Sequence, residues 1–78
     1  MVELRFIRFN DDWVEYEYIP EGKEELVGIV AINKKTLERK ILRESKETFS
    51  NYKFKAFLKM KEFVEENEFP KKYTVAWY

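Results

Sequence analysis

One segment of this chain, residues 50–66, has the apolar spacing of an α-helix, whereas apolar and polar residues alternate in most other apolar segments. Alternation with a period of two is typical of a strand that buries one face, and a period near 3.6 is typical of an amphipathic helix. The predicted order ββββαβ indicates an α+β fold, an antiparallel β-meander of about five strands with one amphipathic helix packed on one face. The predicted strands span 2–9, 13–19, 25–33, 37–43 and 73–78.

Turn-forming residues separate the first four strands and end the helix. Pro presets φ for a turn, and Gly, Asn and Asp tolerate turn conformations that other residues avoid. We expect Thr48 or Ser50 to cap the N-terminus of the helix. Asn67 and the nearby Pro70 are expected to end it. The predicted turns between strands lie at 10–12, 20–23 and 33–36.

The pairing of the first two strands follows from keeping residues of one kind on one face of the sheet. A three-residue turn places Phe6 opposite Tyr16. A two-residue turn would place the Phe6 ring opposite the charge of Glu17, so the three-residue turn is preferred. The same register, continued across the sheet, places Tyr16 opposite Gly28, where an aromatic ring would cover the backbone that glycine leaves bare.

In this register one face of the sheet is almost entirely apolar and is predicted to take the helix. Only Arg8, Arg39 and Arg43 interrupt it. Arg39 and Arg43 lie on the fourth strand, which we expect to be an edge, because inward-pointing charges at an edge discourage aggregation. The last strand is expected beside the first. The apolar residues of this face are Val2, Leu4, Phe6, Val14, Tyr16, Tyr18, Leu26, Val30, Ile32, Leu37 and Ile41.

The opposite face of the sheet, called here the open face, has no second helix to cover it. The three-residue turn pairs Phe9 with Trp13 on this face. Monomers rarely expose apolar patches larger than several hundred Å², so the open face is predicted to be an interface. Alternatively, sheet curvature, the loop at 44–50 or the long stems of Arg and Lys cover it. The candidate interface residues are Ile7, Phe9, Trp13, Val27, Ile29 and Leu42.

The chain has two Trp, five Tyr and seven Phe but no histidine and no cysteine. Without histidine, serine and threonine hydroxyls lack their usual activating base. Asn10-Asp11-Asp12 lacks the mid-loop glycine and distal glutamate of a calcium loop, and Gly22 and Gly28 do not form a phosphate-binding loop. Paired carboxylates such as Glu15 and Glu17 are expected to form solvated charge pairs across the strands. We therefore expect no enzymatic activity, no catalytic residue, no cofactor and no metal.

Four lysines in the helix provide an alternative function. They are interleaved with aromatic residues, a combination that some proteins use to bind nucleic acids. However, fifteen Lys and Arg balance fifteen Asp and Glu, so the chain has no basic field to attract phosphates. Nucleic-acid binding is therefore the less favoured alternative. The lysines are Lys53, Lys55, Lys59 and Lys61.

The predicted function is a small non-enzymatic interaction module, which self-associates or binds a protein partner through the open face. The chain is expected to form a single domain over residues 1–78. We expect it to be cytoplasmic, because it has no cysteine and no apolar run at its start that resembles a signal peptide. No run of apolar residues is long enough for a membrane helix, so no membrane partner is expected.

Overall fold

Five antiparallel strands and one helix form the structure, a computed structural model that describes residues 1–77. The order ββββαβ and the α+β meander with one helix packed on the sheet are as predicted. No helix in residues 1–77 is long and apolar enough to cross a bilayer. The elements are β1 (Val2–Asn10), β2 (Trp13–Pro20), β3 (Gly28–Asn33), β4 (Arg39–Arg43), α1 (Asn51–Glu66) and β5 (Lys72–Val75).

The strand order across the sheet is β4-β3-β2-β1-β5, so β4 and β5 are the two edges. β5 pairs with the first half of β1, with Val2 opposite Val75, which confirms the predicted neighbour of the last strand. β5 is shorter than predicted and ends at Val75. The predicted final residue of this strand, Tyr78, lies outside the described residues.

A β-bulge at Ile7 changes the predicted first hairpin. Phe6 lies opposite Tyr16, as predicted, but from Arg8 onward the register shifts by one residue. The turn therefore contains two residues, with Asp11 at a φ of 55°, and the predicted three-residue turn is wrong. The extra residue is absorbed inside the strand, because a bulge places two residues of one strand opposite one of its partner.

The bulge also exchanges the faces on which Arg8 and Phe9 lie. A one-residue shift of register moves side chains to the opposite face of a sheet. Phe9 lies opposite Val14, which belongs to the core, instead of opposite Trp13. Its ring centroid is 5.0 Å from that of Phe6 on the helix side of the sheet. The prediction of Phe9 on the open face and Arg8 on the helix face is therefore wrong.

A second bulge interrupts the pairing of β3 with β4. Val30 lies opposite Ile41, but Ile29 lies opposite Arg43, so Leu42 is the extra residue. Arg43 consequently shares the open face with Ile29 and does not interrupt the helix face as predicted. Arg39 lies opposite the buried Ile32 and stays on the helix face. β4 is an edge strand, as predicted.

Tyr18, and not Tyr16, covers the glycine of β3. Tyr18 lies opposite Gly28, whereas Tyr16 lies opposite Val30, so the predicted pairing of Tyr16 with Gly28 is wrong by two residues. The type of contact is as expected: a Cβ placed on Gly28 would overlap Cε1 of the Tyr18 ring. β3 starts at Gly28 because Glu24–Leu26 form a short 3-10 helix where a strand had been predicted.

The two ends of α1 are stabilised differently. Ser50 precedes the helix but its side chain makes no capping hydrogen bond, so the predicted side-chain cap is absent at this residue. Asn67 adopts a left-handed conformation with φ 54°. Its backbone N–H donates a hydrogen bond to the carbonyl of Val64, and the backbone N–H of Glu68 donates one to the carbonyl of Phe63. These two hydrogen bonds form a Schellman motif, so Asn67 ends the helix as predicted.

The core lies between α1 and the middle of the sheet. Most of the predicted helix-face residues belong to it, but Ile41 on the edge strand is 42% exposed. Tyr16 is fully buried, and its hydroxyl donates a hydrogen bond of 2.6 Å to the carbonyl of Pro70. Burial raises the pKa of Tyr16 to about 12. The buried core residues are Val2, Leu4, Val14, Tyr16, Tyr18, Val30, Ile32, Ala56, Phe57, Met60 and Phe63.

Substitution of Gly28 by alanine is expected to destabilise the fold by about 1–3 kcal/mol, because the new methyl group overlaps the Tyr18 ring. Urea unfolding of a double-mutant cycle checks the cause: Gly28→Ala should cost clearly less in a Tyr18→Leu background. Gly22→Ala is the matched control, because Gly22 has a φ of +69° and its cost should not depend on Tyr18. Equal costs of Gly28→Ala in both backgrounds would contradict the proposed contact.

Stability is expected to fall as the pH rises from about 10 to about 12. The pKa of a tyrosine in the unfolded chain is about 10, below the pKa of about 12 for buried Tyr16. The unfolded chain therefore loses the proton first, and the contribution of Tyr16, complete below pH 10, declines by roughly 2–3 kcal/mol.

Chemical unfolding across this pH range measures the effect. In the Tyr16→Phe variant the loss of stability attributed to Tyr16 between pH 10 and pH 12 should be absent. The control variant Tyr73→Phe should still show this loss, because Tyr73 is 40% exposed. An unchanged pH profile in Tyr16→Phe would disprove the assignment.

Candidate functional site

Ion pairs cross the open face and cover part of it. Arg5 Nε lies 3.1 Å from Glu17 Oε1, and Arg5 Nη2 lies 2.9 Å from Glu24 Oε1. The hydrogen bond to Glu24 is the main reason why the pKa of Arg5 is raised. Arg8, moved to this face by the bulge, places Nε 3.0 Å from Oε1 of Glu15, whose side chain is 5% exposed. Glu15 and Glu17 are therefore held in cross-strand ion pairs.

Four of the six predicted interface residues are half-buried on their own chain. Lys40 Nζ lies 4.2 Å from the centroid of the Trp13 ring and covers it. Coverage by the stem of a basic side chain is one of the alternatives that the sequence allows. Leu42 is 47% exposed, and Phe9 is 50% exposed but on the other side of the sheet. The half-buried residues are Ile7, Trp13, Val27 and Ile29.

The loop at 44–50 is anchored on the helix side of the sheet. The backbone N–H of Ser45 donates a hydrogen bond of 3.0 Å to the Tyr18 hydroxyl. The Ser45 hydroxyl donates to the carbonyl of Leu26, and the Phe49 ring packs edge-on against Tyr52 at 5.8 Å. These contacts close the helix-side end of the core, so they do not cover the open face.

The four helix lysines do not form one basic surface. Lys53 Nζ lies 2.6 Å from Glu44, and Lys59 Nζ lies 3.2 Å from Glu62. Both pKa values are raised, mainly by the hydrogen bonds to these carboxylates. Lys55 Nζ lies 5.7 Å from the centroid of the Trp77 ring, and Lys61 is exposed. Two of the four charges are thus neutralised within the chain.

An apolar groove between β4 and α1, called here the β4–α1 groove, was not predicted. Its volume is about 450 Å³. Three large apolar side chains at its rim are exposed: Phe49 by 59%, Phe54 by 51% and Ile41 by 42%. The groove is lined mainly by Arg39, Ile41, Phe49, Lys53, Phe54 and Phe57.

The groove exists because one helix is too narrow for the sheet. Five strands spaced roughly 4.8 Å apart extend beyond a helix that is roughly 10 Å across. α1 packs mainly against β1, β2, β3 and β5, so β4 extends past it. Ile41 on β4 and Phe54 on α1 therefore stay partly in water on either side of the gap, although each belongs to an apolar pattern.

Arg39 is the charged residue of the groove that has no ionic partner within residues 1–77. Its guanidinium lies 5.3 Å from the centroid of the Phe57 ring, which is a cation–π contact. Among residues 1–77 it forms no salt bridge, whereas Lys53 is paired with Glu44. The groove thus combines an apolar wall with one guanidinium that forms no ion pair among the described residues.

A second cavity, of about 510 Å³, lies at the C-terminal end of α1. Its lining mixes the rings of Phe63, Phe69 and Tyr73 with glutamates and Lys59. Lys59 already lies 5.1 Å from the centroid of the Tyr73 ring and is paired with Glu62. Residues 1–77 contain no cluster of three or more His, Cys, Asp or Glu suited to hold a metal.

Comparison with protein-family models, curated proteins and solved structures finds no significant match to this chain. The function must therefore be argued from its own residues. The sequence contained one signal for the groove, Phe49 beside the helix with no predicted element to bury it. Ile41 is among the residues predicted for the helix face of the sheet, and Phe54 lies within the segment 50–66 that has helical apolar spacing.

Phe54→Ala and Phe57→Ala form a matched pair that tests the description of the groove. Phe57 is 5% exposed, so its loss should reduce the free energy of unfolding by about 3–5 kcal/mol. Phe54 is half exposed, and its loss should cost about 1 kcal/mol. Urea unfolding measures both values, and a similar large cost at Phe54 would show that its ring is part of the core.

Proposed function

We propose that this chain is a non-enzymatic protein-interaction module that binds a segment of another protein in the β4–α1 groove. The observation that carries the proposal is the exposure of Ile41, Phe49 and Phe54 around one concave surface. Apolar area in water costs roughly 25 cal/mol per Å². A partner side chain that enters the groove would recover this free energy, and fully buried apolar anchors of this kind dominate binding at interfaces.

A partner of different sequence is favoured over a second copy of this chain. β4 contributes Arg39, Lys40 and Arg43 and no acidic residue. A second β4 would bring the same three positive charges to the edge, and like charges across an interface oppose association. The bulge at Leu42 also bends the edge, which is a common protection against strand pairing.

The open face is the second candidate surface for a protein partner. Leu42 is exposed beside it, Trp13 and Ile29 are half-buried, and the Lys40 side chain covers the Trp13 ring. The groove is favoured because its apolar side chains are more exposed than the half-buried residues of the open face. Nucleic-acid binding through the helix lysines is less favoured, since Lys53 and Lys59 are already paired.

Selection of peptides from a random library on the wild-type chain, followed by affinity measurement, tests the proposal. Phe54→Glu should weaken the selected peptides at least tenfold, because burial of a phenyl ring contributes roughly 1.5–3 kcal/mol. Leu42→Glu is the matched control, because Leu42 is similarly exposed and does not line the groove. Circular dichroism would confirm that both variants fold.

Three outcomes would contradict the groove as the binding site. Loss of binding in Leu42→Glu alone would locate the site on the open face. Sedimentation of the wild-type chain as a dimer that Phe54→Glu leaves intact, with no peptide selected, would favour self-association through another surface. Salt-dependent binding of mixed oligonucleotides, weakened by Lys55→Glu and Lys61→Glu, would favour the nucleic-acid alternative.

A further inference from the structure

We infer that the segment bound in the β4–α1 groove is acidic and carries an aromatic or large aliphatic anchor, with a carboxylate bound by Arg39. This inference rests on the proposed function and adds the chemistry of the partner. The apolar part of the recognition comes from Ile41, Phe49 and Phe54, which surround a volume of about 450 Å³. The charged part comes from the Arg39 guanidinium at the same surface, which has no salt-bridge partner within residues 1–77.

Within residues 1–77 no carboxylate forms a salt bridge with Arg39, and two acidic side chains near the groove bond to other groups. Glu44, which follows β4, accepts a hydrogen bond of 2.6 Å from Lys53. Glu47 accepts a hydrogen bond of 3.1 Å from the backbone N–H of Phe49. Arg43, at the other end of β4, forms no salt bridge within residues 1–77. The strand that borders the groove therefore has a local excess of positive charge, although the whole chain is neutral.

Arg39 is held in a suitable position for a carboxylate. Its guanidinium lies 5.3 Å from the centroid of the Phe57 ring, which restricts the side chain and leaves its edges to donate hydrogen bonds. A planar guanidinium binds a carboxylate through two parallel N–H···O bonds, which an ammonium group does not reproduce. Contact with the Phe57 ring thus reduces the entropy that Arg39 would lose on binding.

The positions of the charged and apolar side chains of the groove indicate where acidic residues lie relative to the apolar anchor in the partner segment. Arg39 and Ile41 form the β4 side of the groove, whereas Phe49, Phe54 and Phe57 form the wall contributed by the helix and its preceding loop. An aromatic side chain between these walls would leave neighbouring residues of its own chain close to β4. Acidic residues at those positions would meet the cations of the strand, which is the charge complementarity that gives an interface its specificity.

Fluorescence anisotropy with synthetic peptides tests the inference. The probe is a short labelled peptide in which one tryptophan is flanked by glutamates, and the matched peptides carry glutamine or lysine in place of glutamate. The glutamate peptide should bind about tenfold more tightly than the glutamine peptide at low salt, with the difference reduced at high salt. The lysine peptide should bind most weakly.

Charge reversal at Arg39 identifies the residue responsible. Arg39→Glu should invert the preference, so that the lysine peptide binds more tightly than the glutamate peptide, and Arg39→Lys should retain only part of it. Arg43→Glu is a control for the general charge of β4, because Arg43 pairs opposite Ile29 and does not line the groove. An equal effect of Arg43→Glu would overturn the assignment to Arg39.

The outcomes separate this inference from the proposed function. Equal affinities of the glutamate and glutamine peptides, both weakened by Phe54→Glu, would overturn the acidic partner and leave the groove as the binding site. Binding of no tryptophan peptide, together with no selected peptide that depends on Phe54, would overturn both. A glutamate preference that persists in Arg39→Glu would show that another cation recognises the peptide.

Discussion

The width of one helix relative to five strands determines which part of the helix face of the sheet is buried and which part is exposed. α1 packs mainly against β1, β2, β3 and β5 and buries Ala56, Phe57, Met60 and Phe63 against them. β4 lies beyond this contact, with every one of its residues exposed. The groove follows from this mismatch, because apolar residues on β4 and on the near side of α1 have no third element between them.

Two buried tyrosines connect this layered core to its loops. Tyr16 donates a hydrogen bond to the carbonyl of Pro70 after the helix, and Tyr18 accepts one from the backbone of Ser45 before it. Both rings are buried, so each hydroxyl needs a partner to avoid a large desolvation cost. The same two side chains thus pack the core and hold the segments that lead into and out of α1.

The bulge at Ile7 reconciles two demands on the first hairpin. Phe6 must face Tyr16 in the core, and the turn contains only Asp11 and Asp12. One extra residue in β1 satisfies both and turns Arg8 toward Glu15, where the carboxylate is almost fully buried. It also moves Phe9 to the helix side, where its ring packs edge-on against Phe69 at 5.2 Å. A short-range irregularity therefore decides which residues the open face presents.

The sequence by itself determined the ββββαβ order, the end of α1 at Asn67 and most of the core face, because these depend on local period and turn chemistry. It did not determine the bulges, since a bulge adds one residue that periodicity cannot distinguish from a longer turn. The exposure of Phe54 and Ile41 was decided by tertiary structure alone. Each lies in a regular apolar pattern, and only the position of α1 across the sheet leaves both beside a groove.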